Sequence, residues 1–127
     1  MTEALHYPQQ VGIDAYGNGG FRFAGLSHRG SLLCLPSGMA AWSVTDVSQI
    51  TLLTLAAVLA EADDIDVLLI GLGPDIAAIP RDLREALRER RVIVEAVNTG
   101  SAIRTYNVLL AEERAVAAAL IAVDRVR

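Results

Sequence analysis

Val92-Ile-Val-Glu-Ala-Val97 runs through Asn98 into Thr99-Gly-Ser101-Ala102-Ile-Arg104-Thr105-Tyr106-Asn107-Val-Leu109. The first piece is a nearly unbroken apolar run, as expected of a strand covered on both faces of a sheet. The second reads as a helix with Ala102, Tyr106, Leu109 and Leu110 as its inward stripe and Thr, Ser and Arg in its first turns. A strand delivering polar residues to a helix start at a sheet edge is where α/β proteins tend to keep their sites.

Working outward, Val67-Leu-Leu-Ile70 is a second apolar run, closed by Gly71-Leu-Gly73. Between the two runs lies Arg81 to Arg91, a helix with Pro80 at its first position and Leu83, Ala86 and Leu87 turned inward. Strand, helix and strand at this spacing make a right-handed crossover between parallel neighbours. The glycines invite a dinucleotide reading, but Ile76 stands where the fingerprint needs its third glycine. Asp75 puts negative charge where a pyrophosphate would sit, and Pro74 removes a backbone donor. Nicotinamide dinucleotide binding is therefore excluded, and no cofactor is expected.

If the two strands are parallel neighbours, their carboxyl ends open on a common edge. Gly71, Gly73, Thr99, Ser101, Arg104, Thr105 and Asn107 then form a candidate pocket for a small anion, a phosphate or a carboxylate. The plain structural alternative stands ahead of it. In that alternative Thr99 or Ser101 caps the helix, Arg104 pairs with Asp75 or Glu95, and Asn107 satisfies a buried carbonyl.

Toward the N-terminus the chain becomes β-rich. Residues 1–10 read as a loose segment, and residues 11–127 as one domain. Val11 to Tyr16 reads as a strand, Gly17-Asn-Gly-Gly20 as a turn and Phe21-Arg22-Phe23 as a half-buried strand. Ser31 to Leu35 and Met39 to Val44 follow as strands, separated by Pro36-Ser-Gly38. Ile50 to Glu61 reads as a helix that is apolar almost all round, with Thr45 or Ser48 as its cap. That broad face, with Trp42 nearby, leads to an expectation of self-association. The tail Ala115 to Val123 is ambiguous, since its alanines favour helix whereas its length and branched residues permit a strand.

The chain has 127 residues, 53% of them hydrophobic, a net charge of −4 and a pI near 5.0. One domain with a real core is expected, and nonspecific binding to nucleic acid or anionic lipid is not. All eleven basic residues are Arg. Without Lys there is no Schiff base and no Walker-type phosphate lysine. Cys34 stands alone in an apolar segment and reads as core. His6 and His28 are far apart with no cysteine support, so no metal site is expected. His28 falls in a polar Ser-His-Arg turn. The acidic loop of Asp63, Asp64 and Asp66 lacks calcium-loop spacing. No serine sits in a nucleophile elbow, and no catalytic residues are assigned. The longest nearly apolar run, Ile50 to Ala60, has eleven residues, too short to span a bilayer. No signal segment is visible, and a soluble cytoplasmic protein is expected.

From Phe21 onward the order of signals resembles the small Mth-like domain family of unknown biochemical function, which includes a mitochondrial assembly factor of complex I (NADH dehydrogenase). The matching pieces are Gly-Gly-Phe21, Trp42-x-Val44, Val67-Leu-Leu-Ile-Gly71-Leu-Gly73 and Val94-Glu95. They continue with Thr99-x-x-Ala102-x-x-Thr105-Tyr106-Asn107-x-Leu109 and Glu113-Arg114-x-Val116-Ala-Ala-Ala-Leu120-Ile121. Glu113 stands where the family often has Gly. The resemblance implies a three-layer α/β domain with a mixed central sheet, helices on both sides and a small β-hairpin portion near the front. It places a last strand antiparallel within the sheet, which decides the tail for strand. It further implies a non-catalytic binding or assembly module in a bacterial cytoplasm, with a protein partner such as a membrane respiratory complex.

Overall fold

Leu68, Leu69 and Ile70 send successive side chains to opposite faces of one sheet: Leu68 and Ile70 into one apolar core, Leu69 into another. The computed structural model describes residues 6–75 and 77–125. The strands are β1 (His6–Tyr7), β2 (Ala15–Gly17), β3 (Gly20–Phe23), β4 (Leu26–Arg29), β5 (Ser31–Leu35), β6 (Gly38–Trp42), β7 (Val67–Gly71), β8 (Ile93–Val97) and β9 (Val116–Leu120). The helices are α1 (Ala56–Ala60), α2 (Arg81–Glu89) and α3 (Thr99–Ala111). The main sheet is six-stranded in the order β1-β6-β5-β9-β7-β8, and β2-β3-β4 form a separate three-stranded sheet.

β7 and β8 are parallel neighbours, with Gly71 opposite Val97, so their carboxyl ends do meet on one edge. β9 fills the centre. It runs antiparallel to β5, as the resemblance implies, and parallel to β7 on its other side. The helical propensity of Val116-Ala-Ala-Ala-Leu120 is overridden because all five residues are fully enclosed between two strands. Ala118 lies between Cys34 and Leu69, and Ala119 between Leu33 and Ile70. Small residues on the middle strand leave room for the larger side chains on its flanks.

One face of the sheet carries α1 and α2 through Val58, Leu83 and Leu87. The other carries α3 through Ala102, Ile103 and Tyr106, together with Phe21 and Phe23 of the small sheet. Three layers result, with a mixed sheet in the middle. Among the described residues, no helix is long and apolar enough to cross a membrane.

Several local expectations are corrected. The helix expected over residues 50–61 is confined to Ala56–Ala60. Before it, the Thr51 N–H donates to Thr54 Oγ1 at 2.8 Å, and that hydroxyl donates to the Gln49 carbonyl at 2.8 Å. Such side-chain bonds give the backbone an alternative to the helical ladder. Asp46, rather than Thr45 or Ser48, caps the preceding turn at Val47–Gln49. Trp42 is buried and donates from Nε1 to the Thr54 carbonyl at 2.7 Å, while Leu53 is 83% exposed.

The strand expected over residues 11–16 begins only at Ala15, and the one over 39–44 occupies Gly38–Trp42. Pro80 precedes α2 as its cap residue instead of opening it. Within the segment expected to be loose, His6 and Tyr7 pair with β6, while residues 1–5 lie outside the described residues. The supposed polar turn at His28 is strand β4, paired along its length with β3, and it turns His28 inward.

Candidate functional site

The carboxyl edge of β7 and β8 is sewn shut by backbone and by one hydroxyl. The Leu72 N–H donates to the Val97 carbonyl at 2.8 Å, and the Thr99 N–H to the Gly73 carbonyl at 2.9 Å. Thr99 Oγ1 accepts from the Gly73 N–H at 3.0 Å and donates to the Ile121 carbonyl at 2.7 Å. The Ile121 N–H closes the circuit on the Gly71 carbonyl at 2.9 Å. Thr99 is fully buried, so every bond it makes is shielded from water. The two glycines have different reasons. A Cβ on Gly71 would stand 3.0 Å from Leu120 Cδ2, Thr99 Cα and Thr99 Oγ1, whereas Gly73 adopts φ +100°, a conformation glycine alone takes freely.

Of the seven residues expected to form a pocket, Gly71, Gly73 and Thr99 are brought together, in mutual contact. Asn98, one residue earlier than expected, caps α3 by accepting from the Ser101 N–H at 2.8 Å. Ser101 and Arg104 lie on the rim, where the exposed guanidinium donates to Ser101 Oγ at 3.1 Å. Thr105 is half-buried one turn further on. Asn107 faces a different neighbour: its Oδ1 accepts from the Ile13 N–H at 2.8 Å and its Nδ2 donates to the Ile13 carbonyl at 2.9 Å. The depression left at the edge, lined by Tyr16, Gly73, Asn98, Gly100 and Arg125 among others, measures about 10 Å3. That is room for about one water molecule.

A much larger concavity, about 490 Å3, lies over the small sheet. Register sets its composition. Ala15, Arg22 and Ser27 are cross-strand partners, as are Gly17, Gly20 and Arg29. The opposite face sends Phe21, Phe23 and His28 into the protein. His28 Nε2 lies 2.9 Å from the Ser31 carbonyl, to which it donates, and its ring is tilted against Phe23. Next to the concavity, Phe23, Leu26, Leu32 and Met39 line an apolar pocket of about 150 Å3 that shares Ser27 and His28 with it. Sequence reading passed over this region because Leu26-Ser-His-Arg29 lacks a run of β-branched residues. The available signal was the tight turn at Ala24 and Gly25, both at positive φ, which folds β4 back on β3.

The remaining chemistry-bearing groups are packed away. Burial pushes the Cys34 thiol well above its ordinary range, against a smaller lowering by the hydrogen bond with Tyr106. Burial likewise raises the Tyr106 phenol, whose hydroxyl donates to the Val11 carbonyl at 2.7 Å. Among the described residues, no three His, Cys, Asp or Glu side chains gather closely enough to hold a metal ion.

Residues 13–121 match the model of a family described as "Protein of unknown function (DUF498/DUF598)", and the chain belongs to that family. It is 30% identical over 115 residues to the mouse NADH dehydrogenase (ubiquinone) 1 alpha subcomplex assembly factor 3, covering 91% of this chain and 62% of that protein. The chain thus spans about six-tenths of the length of that relative. A crystal structure described as an outer membrane protein of Bartonella henselae shares 52% identity at a TM-score of 0.89, over 93% of this chain and 99% of that one. A solution structure of a Mth938-like domain from Bordetella pertussis shares 30% identity at a TM-score of 0.77, over 91% and 87% of the two chains.

Proposed function

We propose that this member of the DUF498/DUF598 family is a non-catalytic binding module that assists the assembly of a protein complex, respiratory complex I being the complex its mouse relative's name points to. The observation that carries the reading is the double use of Thr99 Oγ1, which spends the polar groups at the sheet edge on the protein's own backbone. Asn107 is spent likewise on Ile13. An edge closed in this way favours a rigid scaffold that acts through its outer surfaces. The reading places the protein in the cytoplasm, working on a membrane-associated partner.

Cross-linking in native cells followed by affinity purification tests it. Recovery of complex I subunits, with slower NADH oxidation by membranes from a deletion strain, is the expected result. Recovery of the protein alone with unchanged oxidation, or its fractionation with the outer membrane, overturns it.

A second reading puts a small anion at the start of α3, supported by Ser101 and the exposed Arg104 side by side at the rim. Arg104→Ala would then abolish phosphate or carboxylate binding measured by calorimetry and leave the thermal midpoint nearly unchanged. No heat from the unmodified protein ends this reading.

A further inference from the structure

We infer that the outer face of β2-β3-β4 is a docking groove for an extended acidic segment of a partner protein, whose carboxylates are taken by Arg22 and Arg29. The inference rests on the reading of the protein as a binding module and identifies the surface and the chemistry of its partner.

Three observations converge. The first is shape. The floor of the groove is built from Ala15, Gly17, Gly20 and Ser27, residues too small to hold an incoming backbone away from the sheet. The concavity is open to solvent, unlike an enclosed cavity for a small molecule.

The second is charge. The chain carries −4 overall, yet no Asp or Glu lines this groove. The side chains of Arg22 and Arg29 are exposed and make no hydrogen bond or ion pair with another described residue. Two guanidinium forks without a carboxylate partner, on a surface locally lacking acidic side chains, offer charge-assisted hydrogen bonds to incoming carboxylates.

The third is spacing. Arg22 faces Ser27 across the β3–β4 pair, two residues before Arg29. The arginines are therefore diagonal neighbours, about 7–8 Å apart on one face. Alternate side chains of an extended chain repeat at about 6.6–6.8 Å on one side. The match is to acidic residues at every second position, Glu-x-Glu, rather than to adjacent ones.

The probe is a fluorescein-labelled Gly-Glu-Thr-Glu-Thr-Glu-Gly peptide, followed by anisotropy at low salt. Saturable binding is expected, weakened about tenfold or more in the R22Q/R29Q double variant. The R81Q/R88Q variant removes equal charge from α2 and is expected to bind as the unmodified protein does. Both pairs are exposed, and an unchanged circular dichroism spectrum and thermal midpoint verify folding. Absence of saturable binding overturns the inference, as does equal loss in both double variants. So does Arg22- and Arg29-dependent binding of inorganic pyrophosphate or of phosphatidylglycerol vesicles at the same strength. Cross-linked partners recovered equally with R22Q/R29Q would overturn the groove and leave the binding-module reading intact, whereas recovery of the unmodified protein alone would overturn that reading as well.

Discussion

Asn107 grips both backbone polar groups of Ile13, at 2.8 Å and 2.9 Å, across 94 residues of chain. An amide is the one side chain here that supplies a donor and an acceptor side by side, as a neighbouring strand would. It holds the irregular stretch before β2 against α3. Gly12 is fitted to the same grip, since a Cβ there would lie 3.1 Å from Asn107 Oδ1.

Asn107→Ala is therefore expected to cost about 1–3 kcal/mol, because it strands a partly buried donor and acceptor together. Urea denaturation measures the loss, and hydrogen exchange should show the Ile13 amide opening before the main sheet does. Unchanged protection at Ile13 would mean that other contacts hold this segment.

Thr99→Val keeps the shape and removes the hydroxyl that Gly73 and Ile121 share. Two fully buried backbone groups lose their partner, so a cost of about 2–4 kcal/mol is expected. Thr99→Ser retains the bonds and loses a methyl group, which should cost about 1 kcal/mol. Equal effects of the two substitutions would show that packing rather than hydrogen bonding holds this edge.

Gly20→Ala should be the most damaging of the glycine substitutions. Its Cβ would collide with the backbone carbonyl of His28 across the β3–β4 pair, an atom that cannot rotate away. Gly100→Ala meets only the hydroxyl end of Tyr16, which can swing aside. Thermal denaturation is expected to place Gly20→Ala below Gly100→Ala, and Tyr16→Phe should relieve only the latter.

Alkali should weaken the fold through two buried groups. Burial raises both Cys34, from an ordinary 9.0, and Tyr106, from an ordinary 10.0. A raised value means the native state keeps protons that the unfolded chain releases. Stability from these groups is thus complete below about pH 9 and lost as the pH climbs beyond it. The urea midpoint should hold steady from neutrality to that point and then fall. In Cys34→Ala the early part of the fall should flatten, although the starting stability is lower from the lost packing.

Self-association is expected to run through Leu52 and Leu53, which are 43% and 83% exposed while their neighbours Ile50 and Leu55 are buried. Sedimentation velocity at micromolar concentration should show a species larger than one chain that reverts to a monomer in Leu53→Glu. A monomeric unmodified protein overturns the expectation.

The apolar runs at Val67–Ile70 and Val92–Val97, the helix between them and the hairpin around Phe21 were legible in the chain because each carries its own hydrophobic period. Residues 51–55 were misread because eight apolar residues from Ile50 to Leu59 outweighed two threonines whose hydroxyls redirect the backbone. The meeting of Gly71, Gly73 and Thr99 could be anticipated from parallel pairing. Its result, a closed circuit rather than a pocket, depends on Ile121, whose carbonyl takes the Thr99 hydroxyl from a third strand's end.

Local pattern alone thus determined which segments bury apolar surface and what period each follows, since those properties belong to neighbouring residues. Local pattern left the alanine-rich tail open between helix and strand, and the family resemblance assigned it to a strand of the sheet. Tertiary structure decided its pairing on both sides, that His28 turns inward, and that Arg22 and Arg29 share one face. The last two outcomes are set by the register of the β3–β4 hairpin, where a shift of one residue would send each side chain to the opposite side. The central place of the tail is set by its pairing with β5 and β7, which lie far from it in the chain.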